Sequence, residues 1–313
     1  VFLLSDSTTS GIDARAFLAP RYWPLWLGFG LLRLLILLPY RWQLALGGLL
    51  GRLMYLAIPR RRHIAETNIR LCFPDLNEEE RDAVVRKHFR AVGISVFEIG
   101  LCWWGSEAKL RPLCHIEGLK HLDTARSQGK GVILFSAHFT CLEIGGRLLA
   151  QHTPFFVMYK YHRNPLFEAV MRDGRERRFL GAIERSDVRG MLRTLKAGHA
   201  CWYALDQDFG TVNAVFAPFF GIPAATLTST SRIAKMTGAA LVPFFVHRLE
   251  DDSGYQLTLL PALENFPSGD DQADATLTNH LIETQVRKAP AQYLWMHRRF
   301  KSRPKGEADV YER

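Results

Sequence analysis

Apolar positions along the chain fall into three regimes. From Tyr22 to Ile58 they run almost unbroken: Trp23-Pro-Leu-Trp-Leu-Gly-Phe-Gly-Leu-Leu leads through Arg33 to Leu38, and a second run follows Pro39. From Asn77 to about Trp104 they recur at helical spacing, with Phe89, Val92, Val96, Phe97 and Ile99 forming a wide apolar face. Glu78, Glu79 and Glu80 suit the positive N-terminal end of that helix. From Ile116 onward, short apolar runs alternate with amphipathic stretches. The runs predict strands over 132–136, 155–159, 201–205, 241–246 and 255–260. The stretches between them predict helices over 119–127, 141–151, 166–179, 188–197, 226–237 and 274–288. Such alternation predicts an α/β fold, a sheet flanked by helices on both faces. Repeats and low-complexity linkers are lacking, so the economical division is a leader and anchor over residues 1–62 and a catalytic domain over 63–313.

The first regime reads as a hydrophobic membrane-anchor helix behind a loose leader over residues 1–20. A helix over 25–38 would be roughly 21 Å long, against a bilayer core of about 30 Å, so spanning and lying in the interface both stay open. Arg33 and Arg52 can snorkel, Trp23, Trp26 and Trp42 suit the headgroup region, and Arg60-Arg61-Arg62 closes the segment. Apolar character continues past any cleavage site a secretory signal would use. A buried core helix is the competing reading.

Charge and cysteines narrow the function. A net charge of +9 on a chain with 48% hydrophobic residues excludes disorder and implies an anionic partner. Helix-turn-helix, zinc-finger and RNA-binding signatures are lacking, which turns expectation from nucleic acid to anionic lipid or acidic protein. The five cysteines are scattered without a C-x-x-C, arguing for a reducing compartment and against a zinc or disulfide framework.

The stretch from Gly131 to Gly146 concentrates the candidate chemistry. His138 falls at a strand-to-helix junction, held yet reachable, and Glu143 follows one turn into the helix. A carboxylate there can fix the imidazole tautomer and raise its basicity, making a general-base pair. Thr140-x-x-Glu143 is equally a capping box, with Thr140 as N-cap. Cys141 offers a rival thiol nucleophile. Residues 160–196 hold ten Lys or Arg against five acids, and Arg172, Arg175 and Arg178 are spaced to share a helix face. They form either an anion clamp or a solvated face. Asp206-Gln207-Asp208 ends a predicted strand, where α/β sites gather, without the further ligands that a metal needs. The C-terminal Trp295–Arg303 run, basic with interleaved aromatics, reads as a docking segment or as a terminal strand with a basic tail.

An ordered set of motifs carries a resemblance over nearly the whole chain. It comprises His138-x4-Glu143, Tyr161-His-Arg163-Asn164-Pro165-Leu-Phe, Gly174-Arg175-Glu-Arg-Arg178, Asp206-Gln207-Asp208-Phe-Gly210, Phe219-Phe-Gly221 and Tyr293-Leu-Trp-Met-His-Arg-Arg299-Phe. The chain resembles the bacterial late acyltransferases of lipid A biosynthesis, the lauroyl/myristoyl transferases, within the wider His-x4-Asp/Glu glycerolipid acyltransferases. The resemblance implies a glycerolipid acyltransferase-like sheet. It also implies transfer of a fatty acyl chain from acyl carrier protein to a hydroxyl of a lipid A precursor, at the cytoplasmic face of the bacterial inner membrane and without cofactor or metal. His138, Glu143 and Arg175 are then the catalytic candidates, with His138 as base and no acyl-enzyme. Arg163, Asn164, Arg172, Arg178, Asp206, Gln207 and Asp208 are the substrate-binding candidates. The alternatives are a phosphatidylinositol-mannoside-type or other glycolipid acyltransferase, and a non-catalytic basic membrane-docking protein.

Overall fold

The computed structural model describes residues 12–312, so residues 1–11 of the expected leader lie outside the described residues. The apolar N-terminal run forms two helices, α1 (Trp23–Leu35) and α2 (Tyr40–Ala57), broken at Pro39, whose extended backbone starts α2. Among the described residues no helix is long and apolar enough to cross a membrane. Instead α1 and α2 each pack one face inward. Phe29 of α1 meets Trp103, Trp104 and Phe167 edge-on or tilted, and Leu44, Gly47, Gly48 and Gly51 are the buried side of α2. Their outer faces leave Leu27, Leu31 and Leu34, then Trp42, Leu49, Leu53 and Leu56, exposed.

Arg60, Arg61 and Arg62 do not close a segment. They open α3 (Pro59–Cys72), which Pro59 suits because its fixed φ fits the first helical position. The long helix α4 (Glu78–Trp104) starts where the acidic run predicted. Asn77 Oδ1 accepts from the Glu80 amide at 3.0 Å, and Glu80 Oε2 accepts from the Asn77 amide at 2.8 Å, a complete capping box. α2 lies against α4 so closely that a Cβ on Gly93 would sit 2.1 Å from the Gly47 carbonyl, and one on Gly51 would sit 2.2 Å from the Phe89 carbonyl.

After α5 (Glu107–Leu110) the chain builds a seven-stranded sheet from β1 (Cys114–Glu117), β2 (Val132–Ser136), β3 (Phe156–Tyr159), β4 (Gly181–Glu184), β5 (Ala200–Ala204), β8 (Ala240–Arg248) and β9 (Tyr255–Leu259). Its spatial order is β1-β9-β8-β2-β5-β3-β4. All neighbours are parallel except β8 and β9. Between strands run α6 (Leu119–Ser127), α7 (Leu142–Leu149), α8 (Pro165–Glu176), α9 (Val188–Lys196) and α10 (Ser229–Thr237). A separate antiparallel hairpin, β6 (Ala214–Phe219) and β7 (Ile222–Leu227), packs on α11 (Asp271–Lys288). β2 is central and buried at all five positions, as its unbroken apolar run requires.

The C-terminal run is neither a strand nor a docking tail. Trp295, Arg299 and Phe300 are buried, and the Arg299 guanidinium donates to the Ala225 carbonyl at 2.7 Å, Thr226 Oγ1 at 3.0 Å and Asn279 Oδ1 at 3.2 Å. Its positive charge is spent on pinning the hairpin to α11. The helix contact on Gly93 generates a stability prediction. Gly93→Ala should cost about 1–3 kcal/mol or more through overpacking against backbone, read as a lowered denaturation midpoint. An unchanged midpoint would mean that α2 and α4 are not in contact.

Candidate active site

Parallel register builds the centre of the site. β2 and β5 pair from Val132↔Ala200 to Ser136↔Ala204, and two residues further along both chains His138 meets Asp206. Nδ1 of His138 lies 2.6 Å from Asp206 Oδ1, and the His138 amide donates to the two carboxylate oxygens at 3.1 and 3.0 Å. Asp206 is 2% exposed and the His138 side chain 24%, so the carboxylate is hidden beneath an imidazole that solvent can reach.

Burial pulls the His138 imidazole down, yet the Asp206 charge, its hydrogen bond and the Glu143 charge together raise it above the ordinary histidine value. Burial pushes Asp206 up, but the imidazole's charge and hydrogen bond, the His138 amide and the Tyr293 hydroxyl bring it below the ordinary carboxylate range. With Nδ1–H donated to an ionised Asp206, neutral His138 keeps its lone pair on Nε2, the tautomer a general base needs.

A second strip of backbone holds the imidazole's loop. The His138 carbonyl accepts from the Leu294 amide at 2.9 Å, the Thr140 amide donates to the Gln292 carbonyl at 2.7 Å, and Phe139 bridges Tyr293 in antiparallel fashion. Thr140 does not cap α7: its hydroxyl is buried without a partner, and the residue at the cap position is Cys141, which makes no side-chain cap bond. Cys141 is fully buried against the Val246 carbonyl, and burial pushes its thiol up to about 12, so it has neither the access nor the thiolate of a nucleophile. All five cysteines are free thiols.

Glu143 does not hold the imidazole. As the second residue of α7 it reaches across to Arg175 in the last turn of α8, and the two form a short, partly buried ion pair. Arg175 also lies 5.5 Å over the Tyr159 ring. The local spacing of His138 and Glu143 suggested a pair, whereas the strand register supplies a different carboxylate from 68 residues away.

His138, Glu143, Arg175 and Gln207 share the wall of a cavity of about 680 Å³. The cavity opens where the sheet parts. β3 pairs with β5 only through Phe156↔Cys201 and Val157↔Trp202, and beyond that point Met158 to Lys160 and Tyr203 to Ala204 line it from opposite sides. Its lining is largely apolar and includes buried Met191, Trp202 and Ile233.

The remaining candidates are not assembled there. Asn164 is the N-cap of α8, accepting from the Leu166 and Phe167 amides at 3.0 and 3.2 Å. The arginine cluster is dispersed: Arg172 pairs with Glu176 at 2.6 Å, while Arg178 lies past the end of α8 and 3.8 Å from Glu107. Arg163 is exposed. Asp208 accepts from the Ser302 amide at 2.6 Å and the Ser302 hydroxyl at 2.8 Å, clasping the C-terminal run to the loop after β5. No metal-holding group of His, Cys, Asp or Glu occurs among the described residues.

The mixed α/β sheet thus presents a carboxylate-backed histidine in the wall of a largely apolar cavity. The bacterial lipid A biosynthesis acyltransferase family matches residues 12–302. The chain belongs to that family and is an acyltransferase. It is 40% identical to a lipid A biosynthesis palmitoleoyltransferase of Escherichia coli (strain K12) over 95% of this chain and 97% of that one. It is 39% identical to the lauroyltransferase of the same organism over 95% and 97%. Among solved structures, the 1-acyl-sn-glycerophosphate acyltransferase PlsC of Thermotoga maritima aligns with a TM-score of 0.38 at 12% identity, covering 80% of this chain and 98% of that one.

The His138–Asp206 geometry predicts a pH signature. Only neutral imidazole can act as base, so the acid limb of kcat/KM should lie above the ordinary histidine value. Asp206→Asn removes the charge that raises His138 and leaves burial to lower it, so the limb should move to lower pH while kcat falls about 10²–10⁴-fold. A limb that stays put would break the link between the two residues.

Proposed function

We propose that the protein transfers a fatty acyl chain from an acyl carrier protein thioester to a hydroxyl of a lipid A precursor. The observation that carries this reading is His138, its Nδ1 held by Asp206 and its side chain still partly exposed, in the wall of a largely apolar cavity. The family match and the names of its relatives supply the acceptor class. His138 Nε2 takes the proton of the acceptor hydroxyl as that oxygen attacks the thioester carbonyl. The C–O bond forms, the C–S bond breaks, and the imidazolium returns the proton to the departing thiolate. Base assistance of this kind contributes about 10²–10⁴-fold. Asp206 holds the tautomer and balances the imidazolium charge. Arg175, braced by Glu143 and Tyr159, offers its remaining N–H groups to an anionic atom in the cavity, the developing oxyanion or an acceptor phosphate. Met191, Trp202 and Ile233 offer the acyl chain an apolar wall.

On this proposal the reaction runs at the cytoplasmic side of the bacterial inner membrane. Both substrates are lipidic, and the exposed leucine faces of α1 and α2 are bordered by exposed Arg33, Arg41 and Arg52, which make no ion pair among the described residues. That pattern suits helices lying in an anionic interface, with Trp23 and Trp42 at headgroup level. Nothing in the site favours a phosphatidylinositol-mannoside acceptor or a purely docking role.

Mass spectrometry tests the reaction. A lipid A precursor incubated with acyl carrier protein thioesters should gain the mass of one acyl group. Cys141→Ala should retain this activity and His138→Ala should lose it. No gain with any donor, or full activity in His138→Ala, refutes the proposal. For the membrane contact, Leu31→Glu with Leu53→Glu should release the protein from anionic vesicles without unfolding it. Undiminished binding would remove these faces from the interface.

A further inference from the structure

The lip of the cavity carries charge that the fold does not use. β3 and β4 are parallel and end together at Tyr159↔Glu184, so the loops that follow them run side by side, and the Arg185 amide donates to the Tyr159 carbonyl at 2.8 Å. These loops and the start of α9 hold Lys160, Arg163, Arg185 and Arg189. All four are exposed, and none has an ion-pair partner among the described residues. Lys160 and Arg185 also border the cavity.

The nearby acids are already engaged. Glu184 accepts from the amide and hydroxyl of Ser186, while Asp187 caps α9 through the Gly190 amide at 2.8 Å and lies 4.0 Å from Arg193. Arg189 is in the first turn of α9, where the helix dipole opposes a cation, so helix stability does not account for it. Among these cations stand exposed apolar side chains: Tyr161, 53% exposed, Val188, 45%, and Phe209, 47%, the last with the Arg185 guanidinium 5.2 Å over its ring. Cations around apolar contacts at the rim of a catalytic cavity form a surface suited to an acidic protein.

We propose that this lip, residues 160–163 and 185–189, docks the acidic carrier protein and feeds its thioester-linked arm into the cavity. The proposal rests on the transfer reading above and adds where the donor binds.

Steady-state kinetics with two donors bearing the same acyl chain, one on acyl carrier protein and one on free pantetheine, test the assignment. Arg185→Glu with Arg189→Glu should raise KM for the protein-bound donor about tenfold and flatten its salt dependence. Arg189→Glu alone should shift that KM in the same direction while leaving KM for the pantetheine thioester and for the acceptor within about twofold, and Arg189→Lys should restore the parent value. Unchanged KM for the protein-bound donor overturns docking at the lip. So does a rise confined to the acceptor, which would give the lip to acceptor phosphates. Loss of anionic-vesicle binding in its place would give the lip to the membrane. If the parent protein acylates with neither donor, the transfer reading falls and this proposal falls with it.

Discussion

The parallel pairing of β2 with β5 is the constraint on which the site depends. It sets Ser136 opposite Ala204 and delivers His138 and Asp206 together at the ends of two buried strands. A carboxylate hidden under an imidazole is costly unless it is paired and hydrogen-bonded. Here the ring, the His138 amide and Tyr293 all stabilise it, and the result is a histidine whose basicity rises although burial opposes it. A one-residue slip between these strands would turn the side chains to opposite faces and dissolve the pair.

The rest of the fold supports that junction from two directions. The C-terminal run, anchored by buried Arg299 and by Asp208, lays Gln292 to Leu294 against the loop that carries His138. On the other side the sheet parts between β3 and β5, opening the cavity beside the imidazole without breaking the central strands. Glu143 and Arg175 pair with each other in the cavity wall, so two partly buried charges stay matched there.

Much of this was legible in the residues. The strand at 132–136 and the helix at 119–127 came directly from pattern, and the acidic run after Asn77 marked the start of α4. His138 stood out because strand spacing gives way to helical spacing beside it. Its carboxylate did not, since spacing shows neighbours along the chain and register shows neighbours across a sheet. Glu143 was the near candidate and Asp206 the true contact, and Asp206-Gln207-Asp208 at the end of a predicted strand was the signal available. The strands β1 and β4 and the β6–β7 hairpin were missed because β1 and β4 each carry one large apolar residue among polar or small ones, and the hairpin strands are interrupted by Pro218 and Pro223. The arginine-rich stretch appeared as one face and resolved into separate pairs, because helix spacing cannot show that α8 ends before Arg178. The apolar N-terminal run suggested a membrane anchor, whereas the structure breaks it into two helices that pack one face inward, with no helix among the described residues long and apolar enough to cross a membrane.

The proposed chemistry depends on Asp206 holding neutral His138 with its proton on Nδ1 and its lone pair on Nε2. Nitrogen-15 NMR of histidine-labelled protein, with His138 assigned by substitution, reads tautomer and titration together. Neutral His138 should be protonated on Nδ1, with a pKa above the ordinary histidine value that falls in Asp206→Asn. An Nε2-protonated ring, or a titration indifferent to Asp206, would contradict it.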